Sequence, residues 1–300
     1  MPSTTDPASD CLIIGASKAG TTSLFDTLAA HPAILASCEK EVRYFSNDER
    51  YARGAAWYAG RFTGPDTGRV RLEASPAYMT WSDKTAPRIR SHFAAAGPRL
   101  VVILRDPVTR AYSHYWHRVR LGHEPLPFAD AVAREEERLH QHWAELERAG
   151  DGRFGYMRAS RYMSRLRPFL DTFDRAQFFF LLQEDLGPAS FRATMERLLE
   201  FLGVDPSVEL PDRRSNGPVV ARQATVTGAW NRLKQTGASR VYRALVPRVI
   251  RQAVPALLYR PDSYPPLAPE DQQRLRAQFA DEVLACQALI GRDLSRWLPS

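Results

Sequence analysis

The segment Gly15-Ala-Ser-Lys18-Ala19-Gly20-Thr21-Thr22-Ser23 has the residue types of an anion cradle. It follows the apolar run Cys11-Leu-Ile-Ile-Gly15, read as a buried strand, and opens a stretch with helical spacing. Successive backbone N–H groups in such a strand-to-helix turn form a nest, and the helix N-terminus adds partial positive charge. Gly20 lets the chain approach an anion with no Cβ in the way. Thr21 and Thr22 bring hydroxyls and Lys18 a mobile cation. The order differs from a Walker A loop, where lysine follows the second glycine beside a magnesium-binding hydroxyl. Here Lys18 precedes Gly20 and no lysine follows it in the loop. A tight strand-to-helix turn without a ligand is the plainer alternative.

The elements that must position this loop read as strands alternating with helices. Thr21 to Ala30 has helical spacing and stops before His31-Pro32. Val70 to Ser75 reads as a strand closed by Pro76, Arg99 to Leu104 as the clearest buried strand, and Gln177 to Leu182 as a fourth apolar run. Asp106 is a natural N-cap with Pro107 at the first helical position, so a helix is expected through Tyr112, Ser113 and Trp116. Gly122 to Gly155 is highly charged and reads as a helical excursion over one face. Residues 205–222 carry Pro206, Pro211, Gly217 and Pro218 and read as a loop. Ala238 to Leu258 is basic and amphipathic, and Pro269 to Ile290 is expected as a terminal helix. This alternation implies an α/β class, a single P-loop-like domain with a central, mostly parallel sheet flanked by helices. It would occupy residues 11–300 behind a polar, flexible leader at 1–10.

The chain has 300 residues, 44% hydrophobic and 25% charged, which fits a soluble globular protein with a sizeable core and excludes a disordered chain. The formal net charge is +7, and only four of the 41 basic residues are lysine. That surplus suits an anionic ligand but does not choose among nucleotide, nucleic acid and acidic lipid. Arginine richness follows equally well from genome base composition. The arginines are dispersed rather than interleaved with aromatics in one patch, so no nucleic-acid partner is expected. Cys11, Cys38 and Cys286 are odd in number and lack CxxC spacing, against a disulfide framework or a zinc site. His114 and His117 have no cysteine or carboxylate partner in view, so packing or surface placement is expected and no metal. No signal segment and no membrane-length apolar run is visible, and a reduced, cytoplasmic setting is expected. Arg240 to Arg260 suits either a plain surface helix or a weak contact with a membrane surface.

Several ordered motifs resemble one family. GASKAGTTSL is similar to the 5′-phosphosulfate loop of sulfotransferases that use 3′-phosphoadenosine 5′-phosphosulfate (PAPS), with its K-x-G-T-[ST] core. Glu39-Lys40-Glu41-Val42-Arg43-Tyr44-Phe45 resembles the K-E-x-x-[FY]-F segment of the heparan sulfate sulfotransferase branch, and Leu72 to Tyr78 (LEASPAY) its E-x-[ST]-P-x-Y segment. Leu104-Arg105-Asp106-Pro107, with Ala111 to Tyr115 (AYSHY), resembles the unit that holds the 3′-phosphate. The tail from Leu289 to Trp297 resembles the family's last helix, so the likeness spans roughly residues 11 to 298.

The resemblance implies a sulfotransferase moving a sulfo group from PAPS to a hydroxyl, less readily an amine, of a small-molecule, glycan or lipid acceptor. Such an in-line displacement rests on positioning and charge stabilisation. Lys18, Ala19, Gly20, Thr21, Thr22 and Ser23 would hold the 5′ end, with Lys18 following charge onto the leaving oxygen. Arg105 and Ser113 would clamp the 3′-phosphate, a planar donor fork beside a hydroxyl. Tyr162, in Arg158-Ala-Ser160-Arg161-Tyr162, would border the nucleotide, and Arg213 or Arg222 would close a loop over it. Glu41 would be the general base, with Glu39 and Glu73 as rivals. The chain departs from the branch at Ala74, where a lysine is common, and this does not favour a polyanionic acceptor. Residues 122–157 and 205–262 are the expected acceptor-side insertions. The competing classes are a P-loop kinase or NTPase and a non-catalytic nucleotide-binding protein. Oligomeric state and acceptor identity are not encoded legibly.

Overall fold

The computed structural model describes residues 10–64, 68–93, 97–213 and 264–300, and the backbone of 220–221 and 259–260. Five strands, β1 (Cys11–Gly15), β2 (Ile34–Ala36), β3 (Val70–Ala74), β4 (Arg99–Leu104) and β5 (Phe178–Leu182), form one sheet in the order β2-β3-β1-β4-β5. Every neighbouring pair in it is parallel. β1 and β4 are central and buried along their lengths, which is why both read as unbroken apolar runs rather than alternating ones. A separate antiparallel pair joins Val220–Ala221 to Tyr259–Arg260. The mostly parallel expectation therefore becomes a wholly parallel main sheet.

Between strands the chain forms α1 (Thr21–Leu28), then α2 (Asp48–Tyr51), α3 (Gly54–Ala59), α4 (Ala77–Thr80), α5 (Ser82–Phe93) and α6 (Pro107–Arg120). After these come α7 (Phe128–Ala133), α8 (Glu135–Ala149), α9 (Tyr162–Leu170), α10 (Phe191–Leu202) and α11 (Pro269–Ile290). α1 stops two residues short of the expected Ala30, while α11 matches its expected span. β2 carries no recognisable signal of its own, because a strand this short at the sheet edge shows no period; its pairing with β3 defines it.

The excursion from Gly122 to Gly155 is α7 and α8. α8 leans on the start of α2 through Asn47 Nδ2, which donates to the Ala149 carbonyl at 3.1 Å, and on the junction of α4 and α5 through a cluster of Trp81, Leu139 and Leu146. At the other end of the sheet, α11 is tied to α6 by Arg276, 3.1 Å from Asp106 Oδ2. Arg292, just past α11, grips both oxygens of Asp185 at 3.0 Å, and Asp185 Oδ2 accepts the Leu182 N–H at 2.8 Å. The C-terminal segment thereby holds the end of β5. The ends of β1, β4 and β5 open on the same side, where an open α/β sheet has its crevice.

Candidate active site

The phosphate loop leaves β1 at Gly15. A Cβ there would lie 2.6 Å from Met79 Sδ, so only glycine lets α4 close over the strand end. The Ala16 N–H donates to the Ile103 carbonyl at 2.8 Å, which pins the loop to β4. Lys18 and Gly20 both adopt positive φ, 70° and 104°. Glycine takes that conformation freely, whereas a lysine there is strained and must be held by its surroundings. Gly20 is also the N-cap of α1 and supplies no side-chain acceptor, so the first-turn amides are left for a ligand. Ala19 differs from expectation: it is buried and its N–H is spent on the Ala16 carbonyl at 3.2 Å.

A cavity of about 410 Å³ opens in front of this loop. Among the described residues its walls carry Lys18, Lys40, Arg105 and Arg120 against one carboxylate, Glu41. Gly20, Thr21, Thr22, Ser23, Ser113, Gln183 and Pro76 line it too. Burial, with Arg120 and Arg105 adding like charge, lowers Lys18 to about 8. The ammonium is therefore a costly cation, and an anion in the cavity would relieve it.

Arg105 sits at the end of β4, its Nη1 donating to the Lys18 carbonyl at 3.0 Å and its Nε to Thr109 Oγ1 at 3.2 Å. Asp106 caps α6 by accepting the Thr109 N–H at 2.8 Å, with Pro107 behind it, as the sequence led us to expect. That cap fixes the helix phase which turns Ser113 toward the cavity. Tyr162 does not line the cavity. Its hydroxyl donates to the Arg105 carbonyl at 2.6 Å, so it holds the arginine's backbone. Arg213 is exposed and away from the cavity lining, and Arg222 lies outside the described residues.

Glu41 faces the loop from the segment after β2. Its backbone has φ 63° and its N–H donates to the Ala74 carbonyl at 3.0 Å. Burial pushes its carboxyl up, but Lys40 Nζ at 3.2 Å and Arg43 Nη2 at 2.6 Å outweigh this and hold it below the usual carboxylate range. The rivals are placed differently. Glu39 is exposed and 3.9 Å from Arg61. Glu73 is fully buried and accepts Ser75 Oγ and Tyr78 Oη at 2.6 Å and Tyr58 Oη at 3.0 Å. Burial raises its pKa, and it is not among the residues that line this cavity. Ser75 Oγ also accepts the Arg43 N–H at 2.9 Å, so Glu73 anchors the segment that presents Glu41. Sequence reading saw Glu73 only as a rival; a carboxylate followed two positions later by a hydroxyl was the available signal.

His117 is the residue most clearly missed. His114 is buried and packs edge-on against Tyr156, as expected of a core histidine. His117, a turn beyond Ser113, lines the cavity instead. Arg120 Nη2 lies 2.9 Å from His117 Nδ1; since arginine only donates, Nδ1 accepts and Nε2 carries the proton. Burial and the nearby Lys18, Arg120 and Arg118 lower this imidazole to about 3, so it is a neutral donor and not a base. Trp116 and Tyr264, stacked at 5.9 Å and 6°, complete an aromatic wall beside it. Residues 122–157 contribute no side chain to the cavity. Among the described residues no group of three metal-ligating side chains occurs, and no helix is long and apolar enough to cross a membrane.

A strand-to-helix loop, an arginine and a serine from the next strand–helix unit and a carboxylate thus meet over one cavity at the mouth of a parallel sheet on an α/β fold. Residues 8–216 match the family described as Sulfotransferase domain, and the chain belongs to that family. A crystal structure of a sulfotransferase from Alicyclobacillus acidocaldarius superposes with TM-score 0.69 at 26% identity, covering 96% of this chain and 98% of that one. Heparan sulfate glucosamine 3-O-sulfotransferase 5 of Mus musculus is 36% identical over 104 residues, 35% of this chain and 29% of that protein. Heparan sulfate glucosamine 3-O-sulfotransferase 3B1 of the same species is 28% identical over 197 residues, 64% of this chain and 45% of that one. The chain thus spans between about a third and a half of these curated relatives.

Proposed function

We propose that this protein transfers a sulfo group from PAPS to a hydroxyl-bearing acceptor, with Glu41 as general base. The observation that carries this reading is the convergence of Lys18, Arg105, Ser113 and Glu41 on one cavity. The residues present fit the donor: an uncapped helix N-terminus, a glycine at positive φ and four lining cations suit a ligand with phosphate at both ends. PAPS, when bound, supplies an activated sulfo group and leaves as 3′-phosphoadenosine 5′-phosphate.

In this reading the amides of Thr21, Thr22 and Ser23 and the Lys18 ammonium hold the 5′ end, and Arg105 with Ser113 holds the 3′-phosphate. Lys18 neutralises charge that grows on the leaving oxygen. Glu41, kept ionised by Lys40 and Arg43, takes the acceptor's proton. His117, as a neutral donor, offers one hydrogen bond to a group in the cavity. Tyr162 and Arg213 do not belong to this set of contacts. The acceptor stands against the Trp116–Tyr264 wall and His117 rather than against residues 122–157. The three cysteines are free, which fits a reducing compartment, and on that ground we propose the cytoplasm.

The test is direct. Radiolabelled PAPS incubated with a metabolite extract should label an acceptor in the presence of the enzyme and of chelator, since this chemistry asks nothing of Mg²⁺. Turnover of ATP with strict Mg²⁺ dependence would instead identify a P-loop kinase or NTPase. Binding of 3′-phosphoadenosine 5′-phosphate without any transfer would identify a silent binder.

A further inference from the structure

Arg110, on α6, is the largest fully buried side chain among the described residues, at 0% exposure. Its guanidinium reaches three acceptors, all uncharged. Nε donates to Ser160 Oγ at 2.6 Å, Nη2 to the Tyr156 carbonyl, and Nη1 to the carbonyl of Ser17 in the phosphate loop at 3.4 Å. Ser160 Oγ donates onward to the Pro107 carbonyl at 2.7 Å, so the acceptor is itself fixed. Among the described residues no carboxylate contacts this cation. The carboxylate that acts on it, Glu135 at the start of α8, spends its oxygens on the Met157 and Arg158 N–H groups at 2.7 Å each. These two bonds hold the turn whose Tyr156 and Ser160 receive the guanidinium.

A buried charge without a contacting counter-ion is costly, and a fold keeps one where something else balances it. The neighbouring charged groups on the loop side are Arg105, itself a cation, and Lys18 beyond it. Glu135 offsets part of this charge without touching it, and an anion in the cavity would offset the rest. We propose that Arg110 is a positioning residue of the donor site, which from behind the phosphate loop fixes the Ser17 carbonyl and sets a buried positive charge toward the anion the loop holds. The proposal rests on the donor reading above and extends it to a residue that touches no ligand. Arg105 on the Lys18 carbonyl and Arg110 on the Ser17 carbonyl together fix two successive carbonyls of the loop.

The experiment measures 3′-phosphoadenosine 5′-phosphate affinity by calorimetry and the ligand-free melting temperature for the full chain and for Arg110→Met, Arg110→Lys and Ser160→Ala. Arg110→Met should weaken binding by about tenfold, the loss of one charge interaction at partly screened distance. Arg110→Lys, which retains the charge without the fork, should recover most of that loss even if its melting temperature is no higher than that of Arg110→Met. A purely structural brace predicts the opposite, a lowered melting temperature with affinity within twofold of the parent, and that result overturns the proposal. Should Arg110→Met not fold, Ser160→Ala decides: weakened binding supports the proposal and unchanged binding overturns it. A parent protein that binds no 3′-phosphoadenosine 5′-phosphate overturns the donor reading, and this inference with it.

Discussion

Arg105 Nη1 donates to the Lys18 carbonyl at 3.0 Å, so the clamp at the end of β4 and the loop at the end of β1 are one mechanical unit. The same guanidinium cannot be removed without loosening the backbone that presents the Lys18 ammonium. Arg105→Ala should therefore cost more than one phosphate contact. A charge-assisted bond is worth about 1.5–3 kcal/mol, or roughly tenfold to a hundredfold in affinity. The rise in melting temperature produced by 3′-phosphoadenosine 5′-phosphate should largely disappear in the variant, and a full shift would remove Arg105 from the clamp.

Glu41→Gln preserves the shape of the side chain and its contact with Arg43 while removing the base. Turnover should fall by about 10²-fold or more with nucleotide affinity unchanged. Rates and calorimetry on the same preparation check both halves. Near-normal turnover would require another base, and neither Glu39 nor Glu73 is placed to serve.

The two proposed catalytic groups give opposite pH limbs. Glu41 has its pKa depressed by Lys40 and Arg43, so it is ionised across the neutral range, and activity should fall only on acidification below the usual carboxylate pKa. Lys18 is lowered to about 8 and must be protonated to act, so kcat/KM should fall as pH rises through about 8. The alkaline limb of kcat should lie higher, because a bound anion favours the ammonium. Lys18→Arg should erase the alkaline limb; a limb that persists in this variant belongs to another group.

Ser75 bridges Glu73 and the Arg43 N–H. Ser75→Ala should cost about 1 kcal/mol for the lost bond, or roughly 2–4 °C in melting temperature, and lower turnover through Glu41 while sparing nucleotide binding. Glu73→Ala leaves three buried hydroxyls without their acceptor and should lower the melting temperature several times further. A Ser75→Ala enzyme with full turnover would separate the two carboxylates.

The order of elements and the loop that lines the cavity were open to reading because their signals are local. A buried parallel strand is a run of Leu, Ile and Val, a helix start is Asp106 before Pro107, and a phosphate loop is a lysine and a glycine before two threonines. β2 escaped because a three-residue edge strand has no period to detect. His117 escaped because helix spacing shows that it follows Ser113 by a turn but not which neighbour faces that side. Motif likeness brings Tyr162 near Arg105 but does not give the direction of its hydroxyl, which the fold turns to the Arg105 carbonyl.

By itself the sequence determined the α/β class, the loop at Gly15 to Ser23 and the identity of the residues that could clamp two phosphates. Each follows from interactions between residues close in the chain. Only the tertiary structure decided that Glu41, not Glu73, reaches the cavity, that His117 is a donor held by Arg120, and that Arg110 stands behind the loop. Those facts depend on burial and on contacts between residues far apart in the chain. A buried carboxylate satisfied by three hydroxyls and a half-buried one paired with lysine and arginine share the same letter.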